Sequence, residues 1–196
     1  MNAKAVKLVT GEQMNVTVIC GSLRKESYNR KLLDAMKAEF PEHWQIEEAF
    51  LHQIPLYHAD VEEAGAPEAV VELKRAMMRA DGVIIVTPEY NNGMPGVVKN
   101  ALDWASSPPA HSALTHRAFA LAGATPGGGG TALSQYQVRQ TLTAAEAYVM
   151  PGPKMLVSGV AGKMNKELDT LDDEKTTQHV KKFVHAFNSW MHRFDG

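Results

Sequence analysis

Short runs of apolar, β-branched residues alternate with segments of helical periodicity along most of this chain, and that alternation is the strongest constraint on its fold. Residues 83–87 form the clearest run, because they are apolar on both faces, as a central strand of a parallel sheet should be. Four further runs predict strands at residues 16–20, 45–50, 117–123 and 155–159. Five strands separated by helices predict an α/β fold with a doubly wound parallel sheet.

The segments between the strands place apolar residues three or four positions apart, which is typical of helices packed on a sheet. Pro41 should end the first helix, and Pro67 is well placed to open the next one. The predicted helices cover residues 29–40, 67–81, 97–105, 131–147 and 174–194, and residues 51–66 are expected to form a loop.

In a parallel sheet with right-handed crossovers, the carboxyl ends of all strands meet at one edge. Three loops should therefore emerge together: residues 21–29, 88–95 and 124–130. Ligands of open α/β sheets bind at this edge, at the point where the strand order reverses. We therefore expect the functional site among these three loops.

The first of these loops has the composition of a phosphate-binding turn. It offers the hydroxyl groups of Ser22 and Ser27, the amide of Asn29, the guanidinium of Arg24 and the start of a helix. It has one glycine, so it lacks the G-x-G-x-x-G pattern of dinucleotide sites, and it has no Walker A ending. These features favour a terminal phosphate monoester.

The second and third loops have the composition of a site for a planar ring. Residues 88–95 combine Tyr90 with two asparagines and turn-forming residues, which can place backbone polar groups along the edge of a heterocycle. Residues 127–130 are all glycine, so that no side chain prevents a close approach to the backbone. A phosphate site beside two ring-binding loops describes FMN better than a nucleotide.

These motifs resemble the NAD(P)H-dependent FMN reductase family, which includes quinone, azo and chromate reductases. The resemblance rests on Gly21-Ser22-Leu23-Arg24, Ser27 and Asn29, on residues 87–91 and on residues 95–104, and it covers roughly residues 14–160. It implies a flavodoxin-like doubly wound sandwich whose five strands lie in the order 2-1-3-4-5. The cofactor-binding residues that it implies are Ser22, Arg24, Ser27, Tyr28, Asn29, Pro88, Glu89, Tyr90, Asn91, Gly93, Thr125, Gly127 and Gly128.

The resemblance also implies the chemistry. NADPH or NADH would reduce bound FMN, and a small acceptor (a quinone, free flavin, azo compound or metal oxyanion) would then take the electrons by a ping-pong mechanism. FMN carries the redox chemistry, so no catalytic side chain is assigned. A homodimer or homotetramer is expected.

Composition limits the remaining possibilities. The 196 residues carry a net charge of −2 without a long basic run, so nucleic acid is not an expected partner. Apolar runs are too short to cross a bilayer, and one cysteine among 196 residues favours a cytoplasmic protein. The eight histidines lack metal-ligand spacing, so no metal is expected. Residues 1–13 are interpreted as a leader, and residues 14–196 as one domain.

Two other functions fit parts of the pattern. A flavodoxin-type electron carrier would share the fold, but such carriers usually have a strongly acidic surface, and the net charge here is −2. A low-molecular-weight phosphatase would use a cysteine where Cys20 stands, but it needs an arginine six residues later, where this chain has Glu26.

Overall fold

The computed structural model describes residues 13–194, and its main element is a parallel sheet covered by helices on both faces. The sheet strands are β1 Met14–Cys20, β2 Trp44–Ala49, β3 Gly82–Val86, β4 Ala118–Ala124, β5 Tyr148–Val149 and β6 Met155–Val157. The helices are α1 Tyr28–Lys37, α2 Ala59–Ala64, α3 Glu68–Arg79, α4 Gly96–Ser106, α5 Ala132–Ala144 and α6 Glu174–Met191. A small antiparallel pair, β7 Met164–Asn165 and β8 Thr170–Leu171, precedes α6.

The strand order is β2-β1-β3-β4-β5, with β6 also paired to β4, and this confirms the predicted 2-1-3-4-5 topology. β5 lies beside the start of β4, where Ala118 pairs with Tyr148, and β6 lies beside its end, where Ala124 pairs with Val157. The last position in the sheet is therefore filled by one strand in two pieces. Pro151 and Pro153 separate the pieces because proline has no N–H to donate to a neighbouring strand.

Three details differ from the sequence expectations. The fifth predicted strand, residues 155–159, covers the second piece but not β5, and it ends too late because Gly159 has a φ of +57°. The expected loop over residues 51–66 contains the short helix α2, none of whose residues is buried. The β7–β8 pair was not predicted. The leader interpreted over residues 1–13 lies, apart from Gln13, outside the described residues, so the domain boundary stays a prediction.

Each face of the sheet has its own apolar layer. Ile84 and Val86 of β3 point to the side of α1 and α6, where Leu32, Phe183 and Phe187 are buried. Val83 and Ile85 point to the side of α3, α4 and α5, which contributes Met77, Leu102 and Val138, among others. β3 is thus buried on both faces, as predicted. Within residues 13–194, no helix is long and apolar enough to cross a membrane.

A partly buried ion cluster joins α1 to the edge strand β2. The Glu48 carboxylate lies against the Arg30 guanidinium and 2.5 Å from Lys37 Nζ. Burial by itself raises the pKa of Glu48, but the hydrogen bonds from Lys37 and Arg30 outweigh it, so the pKa lies below its ordinary value of 4.5. A lowered carboxyl pKa stabilises the fold above its unfolded value, and this contribution is lost as the pH falls through the folded pKa.

We therefore expect Glu48→Gln to lower the free energy of unfolding by about 1 kcal/mol at pH 7, because one charge of the cluster is lost. The difference from the wild type should shrink as the pH falls below 4.5, where the wild-type carboxylate becomes protonated too. Urea unfolding at several pH values measures both effects. Glu47→Gln is the control, since its pair with Arg79 is exposed and should contribute less. A difference that stays constant with pH would contradict this account.

Candidate functional site

A cleft of about 160 Å³ lies at the carboxyl edge of the sheet, where the loops after β1, β3 and β4 meet. Its lining residues are Ser22, Arg24, Ser27, Tyr28, Asn29, Pro88, Glu89, Tyr90, Ala124, Thr125 and Pro126. Nine of these are predicted site residues. The other four, Asn91, Gly93, Gly127 and Gly128, lie in the same loops but do not line the cleft. Ala124 and Pro126 were missed, because neither has a functional group that a sequence pattern would single out.

Larger depressions lie elsewhere and have a different character. One of about 360 Å³ lies between β2 and α3, and a more open one of about 560 Å³ lies between α4 and α5. Neither contains a predicted site residue, and neither lies where the three loops meet. We therefore place the candidate site in the smaller cleft, because strand topology brings the chemistry-bearing loops together there.

Ser27 caps the first turn of α1 and still faces the cleft. Its Oγ accepts hydrogen bonds from the backbone N–H groups of Asn29 and Arg30, at 3.2 and 3.4 Å. A serine hydroxyl also carries one proton, which stays available to donate. Among residues 13–194, nothing accepts a hydrogen bond from the backbone N–H of Lys25 or Tyr28. The loop therefore offers several donors beside the positive end of a helix.

Arg24 is the cation at this end of the cleft. Its side chain is exposed, and its guanidinium carbon lies 5.4 Å from the centre of the Tyr28 ring. No carboxylate within the described part of the chain forms an ion pair with it. The guanidinium is thus oriented by an aromatic ring while its five N–H donors remain free for an anion.

Asn29 holds two of the loops together. Its amide donates to the Ala124 carbonyl at 3.0 Å and accepts from the Ala124 N–H at 2.9 Å, and the residue is buried. The side chain therefore pairs with the end of β4 as a neighbouring strand would. It fixes the loop after β1 against the loop after β4.

Residues 90–93 form a tight turn on the rim of the cleft. Tyr90 and Gly93 exchange two backbone hydrogen bonds of 3.0 Å, and Asn91 and Asn92 have the positive φ angles that a type I′ turn requires. The Tyr90 side chain is 52% exposed on the cleft wall, whereas Asn91 stands at the tip of the turn.

The loop after β3 is bonded to the first turns of α5. Glu89 Oε2 accepts from the backbone N–H groups of Leu133 and Ser134, at 2.8 and 3.2 Å. Thr87 and Ser134 share a hydrogen bond of 2.9 Å, and both are fully buried.

A second buried pair continues this arrangement, because Gln135 donates to Thr131 Oγ1 at 3.1 Å and to the Met155 carbonyl at 3.0 Å. Sequence reasoning missed Thr131, Ser134 and Gln135. Polar residues at a helix start are ordinary, and their burial depends on the tertiary fold.

The glycine-rich turn divides into a packed part and an open part. Gly130 has a φ of +59°, and a Cβ there would lie 2.8 Å from Leu156 Cβ. Gly128 and Gly129 face open space, and a Cβ on Gly127 would meet nothing closer than Thr125 Oγ1 at 3.7 Å. Thr125 Oγ1 itself accepts from the Gly127 N–H at 3.3 Å.

Cys20 lies just before the first loop, and its thiol is buried. Burial raises the pKa of its thiol. The thiol also donates a hydrogen bond to the Ser22 carbonyl, at 3.7 Å. Burial and a raised pKa both disfavour the thiolate that a phosphatase needs, so this alternative finds no support in the site. Within residues 13–194, no three His, Cys, Asp or Glu side chains converge as metal ligands would.

Comparison with known proteins gives consistent matches. The family model described as NADPH-dependent FMN reductase matches residues 14–162. An NAD(P)H-dependent FMN reductase of Pseudomonas aeruginosa is 36% identical over 185 residues, covering 94% of this chain and 99% of that protein. A quinone reductase of Pseudomonas putida is 35% identical over 183 residues, covering 90% of this chain and 94% of that protein.

Among solved structures, FerB, a flavoenzyme NAD(P)H:acceptor oxidoreductase from Paracoccus denitrificans, is similar to this chain with a TM-score of 0.85 at 32% identity. The similarity covers 92% of this chain and 98% of FerB. The β7–β8 pair and α6 lie beyond the residues that the family model matches.

Two glycine substitutions should distinguish a tightly packed glycine from one that faces open space. A Cβ on Gly123 would lie 2.0 Å from Thr131 Oγ1 and 2.4 Å from the Thr87 carbonyl oxygen. We expect Gly123→Ala to lower the free energy of unfolding by about 3 kcal/mol, because the neighbours are backbone and a buried side chain. Gly128→Ala should change it by less than about 0.5 kcal/mol. Urea unfolding of the cofactor-free variants measures both, and equal effects would contradict the placement of the turn.

Proposed function

The chain belongs to the NADPH-dependent FMN reductase family, and from this premise we propose that it oxidises NAD(P)H with FMN bound at the carboxyl-edge cleft and reduces a quinone. The observation that carries the placement is Arg24 beside the start of α1, because its guanidinium lines the cleft and forms no ion pair within residues 13–194. The other two walls of this cleft are the expected ring-binding loops.

The residues present fit FMN by the chemistry of their donors. A phosphate monoester carries nearly two negative charges at neutral pH. Arg24, the hydroxyl groups of Ser22 and Ser27 and the free N–H groups near Tyr28 would bind it. Asn29 would act mainly by holding these groups in place, because its amide already bonds to Ala124.

The ring would be held by the other two loops. Pro88, Glu89 and Tyr90 form one wall of the cleft, and Thr125 lies on the other. Asn91 and Gly93 shape the turn that carries Tyr90, while Gly127 and Gly128 would leave the backbone of the glycine-rich turn accessible to the ring. A volume of about 160 Å³ encloses part of a molecule of this size, so the remainder would lie over the open glycine-rich turn.

Bound FMN would supply the transfer of hydride and electrons, and the protein would bind and orient it. Its residues bind the phosphate, orient the ring and leave one side accessible. No side chain of the cleft is assigned as an acid or base. The exposed Tyr90 ring gives a planar substrate an apolar surface at the rim.

The acceptor and the order of steps are inferred from chemistry and from relatives. The Pseudomonas putida relative is named a quinone reductase, and a flat quinone suits the open rim beside Tyr90. NAD(P)H and the quinone would use the same open side in turn, which gives ping-pong kinetics. Azo compounds, free flavin and metal oxyanions are alternative acceptors for the same site.

A homo-oligomer is also proposed. Leu56 is 83% exposed and Leu133 is 48% exposed, so an interface that covered either side chain would bury apolar area. The size of the assembly, dimer or tetramer, would follow from its mass in solution.

The function is tested with purified protein and FMN. The protein should acquire the absorption of oxidised flavin, NADPH should bleach it under anaerobic conditions, and a benzoquinone should restore it. Initial rates at several concentrations of both substrates should give parallel double-reciprocal lines. Protein that does not bind FMN, or that keeps its flavin oxidised with both NADPH and NADH, would overturn the proposal.

Arg24 gives a sharper test of the phosphate site. A charge-assisted hydrogen bond contributes about 1.5–3 kcal/mol, so Arg24→Ala should raise the Kd for FMN about 10- to 150-fold. Its side chain is exposed, so the unfolding midpoint of the cofactor-free protein should stay the same. Lys25→Ala removes the same charge from the neighbouring residue, which does not line the cleft, and should change the Kd by less than about threefold. Equal effects of the two variants would contradict the assignment.

A further inference from the structure

The start of α5 lacks the cap that its own sequence should provide. Thr131 occupies the N-cap position, but its φ of +66° is left-handed, and it makes no side-chain cap hydrogen bond. Its hydroxyl accepts from Gln135 instead. The backbone N–H groups of the first turn therefore need another acceptor.

Glu89 supplies this acceptor from a different loop, 44 residues earlier in the chain. One oxygen, Oε2, receives both the Leu133 N–H at 2.8 Å and the Ser134 N–H at 3.2 Å. A carboxylate at a helix N-terminus is also favoured by the helix dipole. Because Glu89 lines the cleft as well, the same residue belongs to the cleft wall and to the helix cap.

We propose that Glu89 is a positioning residue, whose carboxylate caps α5 and thereby sets the spacing between the 88–95 loop and the glycine-rich turn. The inference rests on the proposed function in one respect, since it takes FMN as the molecule between these two segments. Glu89 also places a fixed negative charge in the cleft wall. That charge disfavours any bound group that gains electrons, so it lowers the reduction potential of FMN in the cleft.

Three substitutions separate the hydrogen bonds from the charge. Both bonds end on one oxygen, so Glu89→Gln can keep them with its amide carbonyl while losing the charge. Glu89→Asp keeps the charge but is one methylene shorter, so it loses the reach. Glu89→Ala loses both. Glu72→Gln removes a charge from an exposed residue of α3 outside the cleft and is the matched control.

Hydrogen exchange of the cofactor-free protein tests the cap directly. The amides of Leu133 and Ser134 should exchange at least about tenfold faster in Glu89→Ala and Glu89→Asp than in the wild type. Glu89→Gln and the control should stay within about twofold. If Glu89→Ala fails to fold, the comparison between Glu89→Gln and Glu89→Asp still decides. The proposal that Glu89 caps α5 would be overturned if these two amides exchanged as slowly in Glu89→Asp as in the wild type. Fast exchange of the same amides in Glu89→Gln would overturn it too.

FMN titration and potentiometry test the consequence for the site. The Kd for oxidised FMN should rise about tenfold in Glu89→Ala and Glu89→Asp, and less than about threefold in Glu89→Gln. In Glu89→Gln, the ratio of the affinity for reduced FMN to the affinity for oxidised FMN should rise up to about tenfold. This corresponds to a rise of about 30 mV in the reduction potential of the bound two-electron couple. Glu89→Asp should keep the wild-type potential.

The outcomes distinguish this inference from the proposed function. A wild-type protein that binds no FMN overturns the proposed function, and the exchange rates still decide whether Glu89 caps α5. A wild-type protein that binds FMN, with the same Kd and potential in all three variants, overturns the positioning role alone.

Discussion

Side chains that bond to the backbone of an element distant in sequence hold this site together. Where parallel strands end, their backbone N–H and C=O groups lose the neighbouring strand that satisfied them. The Asn29 amide bonds to the backbone of Ala124 as a neighbouring strand would. The Glu89 carboxylate accepts from the first turn of α5 as a local N-cap residue would. Because these bonds join α1 to β4 and the 88–95 loop to α5, they hold the walls of the cleft against each other as well as fixing the conformation of each segment.

The two helix starts beside the cleft are capped by different groups, so the electrostatic potential differs between the two parts of the site. Ser27 caps α1 with a neutral hydroxyl, so the positive end of that helix is not cancelled. Glu89 caps α5 with a carboxylate, which offsets the positive end there. An anion is therefore favoured beside α1 and disfavoured beside α5. This polarity agrees with a phosphate at the Arg24 end and a ring at the Tyr90 end.

The fold was largely predictable because its strongest signals are local. Residues 83–87 are apolar on both faces, as a central strand should be, and Pro67 marks the start of α3 within one residue. β5 was missed because two residues carry no periodicity, and α2 because none of its side chains is buried. Pairing with β4, not sequence pattern, creates β5.

The sequence predicted which loops form the candidate site, but it did not predict the hydrogen bonds that individual residues make there. The hydroxyl and guanidinium groups of the first loop could be predicted from composition, and the structure places them together in the cleft. That Asn29 would bond to Ala124 could not, because the two residues are 95 positions apart. The glycine-rich turn shows the reverse case. Gly130 is required by its φ and by its contact with Leu156, yet Gly128 and Gly129 meet nothing. Glycine in such positions costs conformational entropy on folding without a packing return, so packing within residues 13–194 explains Gly130 but not Gly128 or Gly129.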